Sequence, residues 1–310
     1  MHKHKISTVS CYLRLLRFES WIGWLFNFAL GSIFFWMPPI NSFASISFSF
    51  ILATAGIFIL NQYFDRENDK LNEFKRNLPI SSGDLSPRIA ICVFVCFTFL
   101  SICFVLLTNI NLLPLFIAYI GLWICYSAPP FCLKRRPIID VIVAGFGSGV
   151  LPFIMGLQVT NMLTLDFSSS WIRRRYQDAF FSVIPLLLFQ ASGHIFQAVG
   201  DYEADLKGNV QTFVVKYGKK TSVRLGILSL IICALLPILY RVLNLSLVDF
   251  LYWYLVILIC CIPGIFYVMN LLREPSRDKI NSLRCIHRKI SPAILVIIWV
   301  YALLIRISLS

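Results

Sequence analysis

The chain has 310 residues, 58% of them hydrophobic and only 14% charged, and a mean hydropathy of +0.77 excludes an ordinary soluble domain. A formal net charge of +13 would suit nucleic acid, but the basic residues fall in the loops between apolar runs. That is a topology signal, and no nucleic-acid partner is expected.

Apolar runs of the length that crosses a bilayer as a helix recur from end to end. Nine are predicted, at about 18–37, 43–65, 87–108, 111–127, 138–160, 179–199, 223–243, 247–270 and 289–308. Together they predict one all-α polytopic membrane domain over 1–310, a multi-pass protein with the lipid bilayer as its partner. Pro114, Pro152, Pro185 and Pro263 are expected to kink or break some of the spans. Ahead of the first span, CYLRLLRFE (Cys11–Glu19) reads as amphipathic and interfacial. No small-residue cleavage site follows it closely, so the amino terminus is expected to be retained.

Assigning the amino terminus and every second loop to the cytoplasm puts 23 of the 28 Lys and Arg on that side. The other side keeps Arg173, Arg174, Arg175, Arg241 and Arg306. The bias predicts an odd number of spans, a cytoplasmic amino terminus and a carboxyl terminus on the opposite side. Arg173–Arg175 is expected in a partly structured external loop. The ten cysteines show no CxxC pair and mostly sit inside apolar runs, where they read as small packing residues.

The second span ends in NQYFDRENDK, which sets Asn61, Asp65 and Asp69 at successive intervals of four. On a helix that spacing stacks them along one face, with Glu67 pointing away. The sixth span ends in SGHIFQAVGDYEADLKGN, which sets Asp201 four residues before Asp205, with Glu203 between. Both spans end on the cytoplasmic side, so the two acidic pairs share one depth. A solvated loop explains either pair alone. Two pairs at one depth, led in from the apolar side by Asn61 and Gln197, argue for a site. Carboxylates gathered in this way repel unless hard cations join them. Mg²⁺, with Mn²⁺ as an alternative, meets that need and brings substrate phosphate oxygens into its shell. The pattern therefore predicts a phosphorylated lipid substrate, specifically a diphosphate. Basic turns stand nearby: KRNLPISSG (75–83), YSAPPFCLKRRP (126–137) and TFVVKYGKK (212–220). From these, Lys134 and Arg76 are the expected diphosphate ligands. Arg135, Arg136, Lys219 and Lys220 are read as topological charges.

These motifs resemble those of the UbiA-type superfamily of intramembrane prenyltransferases, and the resemblance covers nearly the whole chain. The family's NxxxDxxxD motif is matched by Asn61, Asp65 and Asp69, and its second motif, DxxxD, by Asp201 and Asp205. Its YSxxPxRxK signature is matched by Tyr126, Ser127, Pro130 and Lys134, with Cys132 where the signature has Arg. Gln62 replaces an Asp common after the motif Asn, a variant of homogentisate-type members. The resemblance implies nine transmembrane helices around a central cavity, with active-site loops on the cytoplasmic side. It implies that Asn61, Asp65, Asp69, Asp201 and Asp205 hold Mg²⁺ against an isoprenyl diphosphate, whose prenyl group passes to an aromatic or other lipophilic acceptor. Tyr126, Tyr63 and Tyr202, beside the motifs, are the expected substrate contacts. His194 and Gln197 lie before Asp201 on the sixth span. His194 either orients an acceptor, removes a proton or packs. Two rivals stand beside transfer: cyclisation of the prenyl chain, as in some relatives, and ion-coupled transport, which normally places its acids near the midplane rather than at helix ends.

Overall fold

Helices form wherever the apolar runs lie, because a backbone in lipid must satisfy its own hydrogen bonds. The computed structural model describes residues 8–34, 38–160 and 170–245, with residues 278, 279 and 282. The predicted spans at 247–270 and 289–308, Pro263 and the cationic loop around 273–289 lie outside the described residues, apart from those last three positions.

A short amphipathic helix, α1 (Thr8–Leu16), precedes α2 (Phe18–Ser32). Then come α3 (Ile40–Leu71), α4 (Pro87–Thr108) and α5 (Leu113–Ser127). The fifth span is composite: α6 (Ile139–Gly145), a π-helical turn (Phe146–Val150) and α7 (Leu151–Gln158). α8 (Ser170–Lys207), short α9 (Phe213–Tyr217) and α10 (Lys219–Val242) complete the described chain. Among the described residues, six helical segments are long and apolar enough to cross a membrane. α2, with 15 residues, is shorter than a crossing helix requires. Among the described residues no strand occurs.

The predicted and observed ends differ where polar residues prolong a helix. α3 and α8 run past their apolar stretches to Leu71 and Lys207, so both acidic motifs are helical. Arg173–Arg175 lies in the first turns of α8, a correction to the predicted loop. There the Arg174 guanidinium reaches the Asn244 carbonyl at 3.5 Å, tying the start of α8 to the end of α10. Pro114 occupies a first-turn position of α5, where no backbone donor is lost, whereas Pro152 directly follows the π-turn inside the fifth span, Pro185 lies within α8 and Pro237 within α10.

Close approach between helices depends on small residues, as in other membrane bundles. α2 crosses α7 at Gly31 and Gly156: a Cβ on Gly156 would stand 2.1 Å from the Phe28 carbonyl oxygen. Gly145 and Gly149 meet the backbone of α8 in the same way. The π-turn shifts the register of the fifth span, and Asn27 of α2 donates to the Ser148 carbonyl there at 2.9 Å. Around this seam α2, α3, α5 and α7 share one core containing Phe28, Phe50, Phe116, Tyr119 and Trp123. The Trp24 and Trp123 rings stack at 4.5 Å. α4 is the lipid-facing counterpart, with Val95, Phe99 and Leu107 exposed.

Candidate active site

The site forms where α3 and α8 end together. On α3, Asn61 donates to Asp65 Oδ2 at 2.8 Å, so the predicted face exists. Glu67 points away and pairs with Lys70 at 2.8 Å. Across the gap the two helix ends are stitched by amides. Asn68 Nδ2 donates to Asp205 Oδ1 at 2.9 Å, and Asn72 Nδ2 to Asp201 Oδ1 at 2.9 Å. Asp69 and Asp205 are buried. The two pairs predicted to share one depth are brought together.

Two ammonium groups stand among these carboxylates. Lys75, in the turns that follow α3, lies 2.9 Å from Asp201 Oδ2 and 3.9 Å from Asp69 Oδ1. Burial alone would depress the Lys75 ammonium; Asp201 and Asp69 outweigh that and hold its pKa above the ordinary lysine value. Lys134, expected as a diphosphate ligand, is buried in the turn after α5 and forms an ion pair with Asp65. Arg76 does not come into the site. It is exposed, and among the described residues its side chain bonds neither acidic pair. Lys75, one residue earlier, occupies the predicted place, because the turns after Asn72 aim that side chain inward.

The turn after α5 is anchored from both sides. Asn61 also reaches Ser127 Oγ at 3.3 Å, and the Cys132 thiol contacts the Ser127 carbonyl at 3.6 Å. Beside it opens a cavity of about 260 Å³, lined by Phe64, Ser127, Pro129, Pro130, Cys132, Lys134 and Arg135. Gln62, the departure next to the motif Asn, is buried and donates to the Leu15 carbonyl at 2.7 Å. Arg14 reaches the Asn77 carbonyl, so α1 straps both α3 and the turns after it.

Tyr126 and His194 meet at a residue that the motifs did not single out. Asp140, 1% exposed, accepts from Tyr126 Oη at 2.7 Å, lies 2.9 Å from His194 Nε2, and accepts from the Phe213 amide at 3.4 Å. A lone acid opening an apolar span was the available signal, since intramembrane carboxylates are seldom idle. Gln197, one turn before Asp201, is exposed on α8. Tyr202 and Tyr63 are each covered by a cation, Lys219 at 4.7 Å and Arg66 at 4.9 Å from the ring centres.

The profile of the UbiA prenyltransferase family matches residues 22–291. The chain belongs to the UbiA prenyltransferase family. Among its UbiA relatives, the protoheme IX farnesyltransferase 1 of Picrophilus torridus is 29% identical over 221 residues, covering 70% of this chain and 68% of that protein. The digeranylgeranylglyceryl phosphate synthase of Thermococcus sibiricus is 26% identical over 205 residues, covering 65% and 67%. A UbiA homologue from Archaeoglobus fulgidus, solved with DMAPP and Mg²⁺, superposes with a TM-score of 0.70 at 20% identity, over 92% of this chain and 99% of that one. The UbiA fold is thus shared almost end to end.

The side chains at the helix ends suit a divalent metal. Asp65, Asp69, Asp201 and Asp205 offer only hard oxygen donors, and Lys75 and Lys134 meet only part of their charge. Among the described residues no three Asp, Glu, His or Cys side chains close into a cage. Mg²⁺ needs none, since it binds through one or two carboxylates and fills its shell with water and phosphate oxygens.

Proposed function

We propose that this UbiA-family protein transfers a prenyl group from an isoprenyl diphosphate to a lipophilic acceptor within the membrane. The observation that carries the reading is the meeting of Asp65, Asp69, Asp201 and Asp205 at the joined ends of α3 and α8, with Lys75 and Lys134 among them. Asn61 and these four aspartates would hold Mg²⁺, which when bound neutralises diphosphate charge and aids its departure. Lys75 and Lys134 are placed to meet diphosphate oxygens. The aromatic wall of Trp24, Trp123 and Tyr126 supplies π-faces toward developing positive charge. The site opens on the cytoplasmic side, as the distribution of Lys and Arg favours. The Archaeoglobus homologue's DMAPP and Mg²⁺ support the donor class, and the two named relatives support transfer over cyclisation. Acids at helix ends beside basic turns also disfavour transport.

The test is incubation of purified protein with Mg²⁺, allylic diphosphates of several lengths and candidate acceptors. Prenylated acceptor is the expected product; a cyclised hydrocarbon alone, or no consumption of any diphosphate, would overturn the reading.

A further inference from the structure

The Asp140 network lies outside the diphosphate site and needs its own account. A carboxylate in an apolar interior is stable only where donors surround it. Tyr126 Oη, His194 Nε2 and the Phe213 amide do so, at 2.7, 2.9 and 3.4 Å. An ionised carboxylate only accepts, so the ring proton of His194 belongs on Nε2 and Nδ1 is the basic nitrogen. Among the described residues no hydrogen bond to Nδ1 is found, and the side chain keeps 23% of its surface exposed. The fully buried acid thus sits behind a partly open imidazole.

The location of that imidazole matters as much as its tautomer. His194 precedes Asp201 by seven residues, two turns, so it shares the Asp201 face of α8 about 10 Å deeper along the helix. Tyr126, 6.4 Å away between ring centres, adjoins Ser127, the residue bonded to Asn61. The Trp123 ring lies 5.0 Å beyond Tyr126. A diphosphate held on the aspartates would leave this aromatic wall as the neighbouring surface deeper in the bundle.

We propose that His194, oriented by Asp140, removes the proton of a hydroxylic acceptor, which therefore binds between α5 and α8 below the aspartates. The inference rests on the prenyl-transfer reading. The allylic C–O bond breaks and its electron pair leaves with the diphosphate. An acceptor oxygen gives an electron pair to the allylic carbon, and its proton passes to Nδ1, while Nε2–H stays on Asp140. A phenol can instead join through a ring carbon after losing the hydroxyl proton, then regain its hydroxyl from the ring proton. Asp140 and Tyr126 are positioning residues: the carboxylate fixes the tautomer and steadies the imidazolium, and the phenol holds the carboxylate.

The experiment separates departure from transfer. Wild type, His194→Gln, Asp140→Asn and Asp140→Ala are compared with geranylgeranyl diphosphate and Mg²⁺. Inorganic diphosphate release is measured without acceptor, where water takes the allylic carbon and the prenyl alcohol is the second product. Prenylated product is measured with 4-hydroxybenzoate or geranylgeranylglyceryl phosphate. His194→Gln is expected to keep diphosphate release and its KM within about threefold while losing about 100-fold or more of transfer. Asp140→Asn, which keeps an acceptor oxygen, should lose less transfer than Asp140→Ala, again at unchanged KM for diphosphate. Release and transfer falling together in His194→Gln would make the network a structural pillar and overturn the assignment, as would full transfer. A wild type that releases diphosphate but prenylates neither hydroxylic probe would overturn the assignment, whereas a cyclised hydrocarbon alone, or no consumption of the diphosphate, would refute the transfer reading itself.

Discussion

Replacing Lys75 with methionine removes an ammonium while nearly keeping its volume. In the folded protein that ammonium is 2.9 Å from Asp201 and 3.9 Å from Asp69, with a quarter of the side chain exposed. A charge-assisted hydrogen bond contributes about 1.5–3 kcal/mol net, and partial exposure puts Lys75 toward the lower end of that range. The same ammonium competes with any cation approaching those carboxylates. Its removal should therefore tighten Mg²⁺ binding in the absence of diphosphate by about tenfold, since about 1.4 kcal/mol is a factor of ten. With Mg²⁺ saturating, inorganic diphosphate should bind about tenfold more weakly, because a cation that would meet its oxygens is gone. Isothermal titration of Mg²⁺, then of diphosphate, into detergent-solubilised protein reads both. Arg76→Met, at an exposed position outside the site, should shift neither constant by more than about twofold. Unchanged Mg²⁺ affinity in Lys75→Met, or equal effects in both variants, would refute the reasoning.

Asp65→Asn and Asp201→Asn should each lower kcat/KM by about 100-fold or more with insertion intact, whereas Glu67→Gln should stay within about threefold; steady-state diphosphate release checks both. Lys134→Ala leaves Asp65 without its ion-pair partner and should raise KM for the isoprenyl diphosphate by about tenfold, against little change for Arg135→Ala. Gly156→Ala drives a Cβ to 2.1 Å from the Phe28 carbonyl and should cost about 1–3 kcal/mol, seen as a lowered Tm; Gly121→Ala, with nothing within 4 Å, should not lower it.

Most of this architecture was legible in the sequence because lipid leaves a hydrophobic run few alternatives to a helix. The run at 87–108 became α4 with the same ends, where Ser86 caps and Pro87 opens the helix. Hydrophobicity alone misjudged the ends of α3 and α8, which continue through Asp69 and Asp205 on helical periodicity after the apolar signal stops. The same periodicity extends to the bridging amides: Asn61, Asp65, Asn68 and Asn72 follow a 4–3–4 spacing, and the last two bridge to Asp205 and Asp201. Lys75 and Arg76 could not be told apart, because turns rather than a regular period set their directions. Asp140 stayed hidden for another reason: its partners come from α5, α8 and the start of α9, a tertiary meeting that no local pattern encodes.

The central claim is that the joined ends of α3 and α8 are a metal-dependent site for isoprenyl diphosphate. The most direct measurement is consumption of geranylgeranyl diphosphate by purified protein supplied with 4-hydroxybenzoate or geranylgeranylglyceryl phosphate, with inorganic diphosphate quantified in Mg²⁺ and again in excess EDTA, for wild type, Asp65→Ala and Asp201→Ala. Turnover by the wild type in Mg²⁺, lost in EDTA and in both variants, is the predicted result. Full turnover in EDTA, or in either variant, would contradict the account.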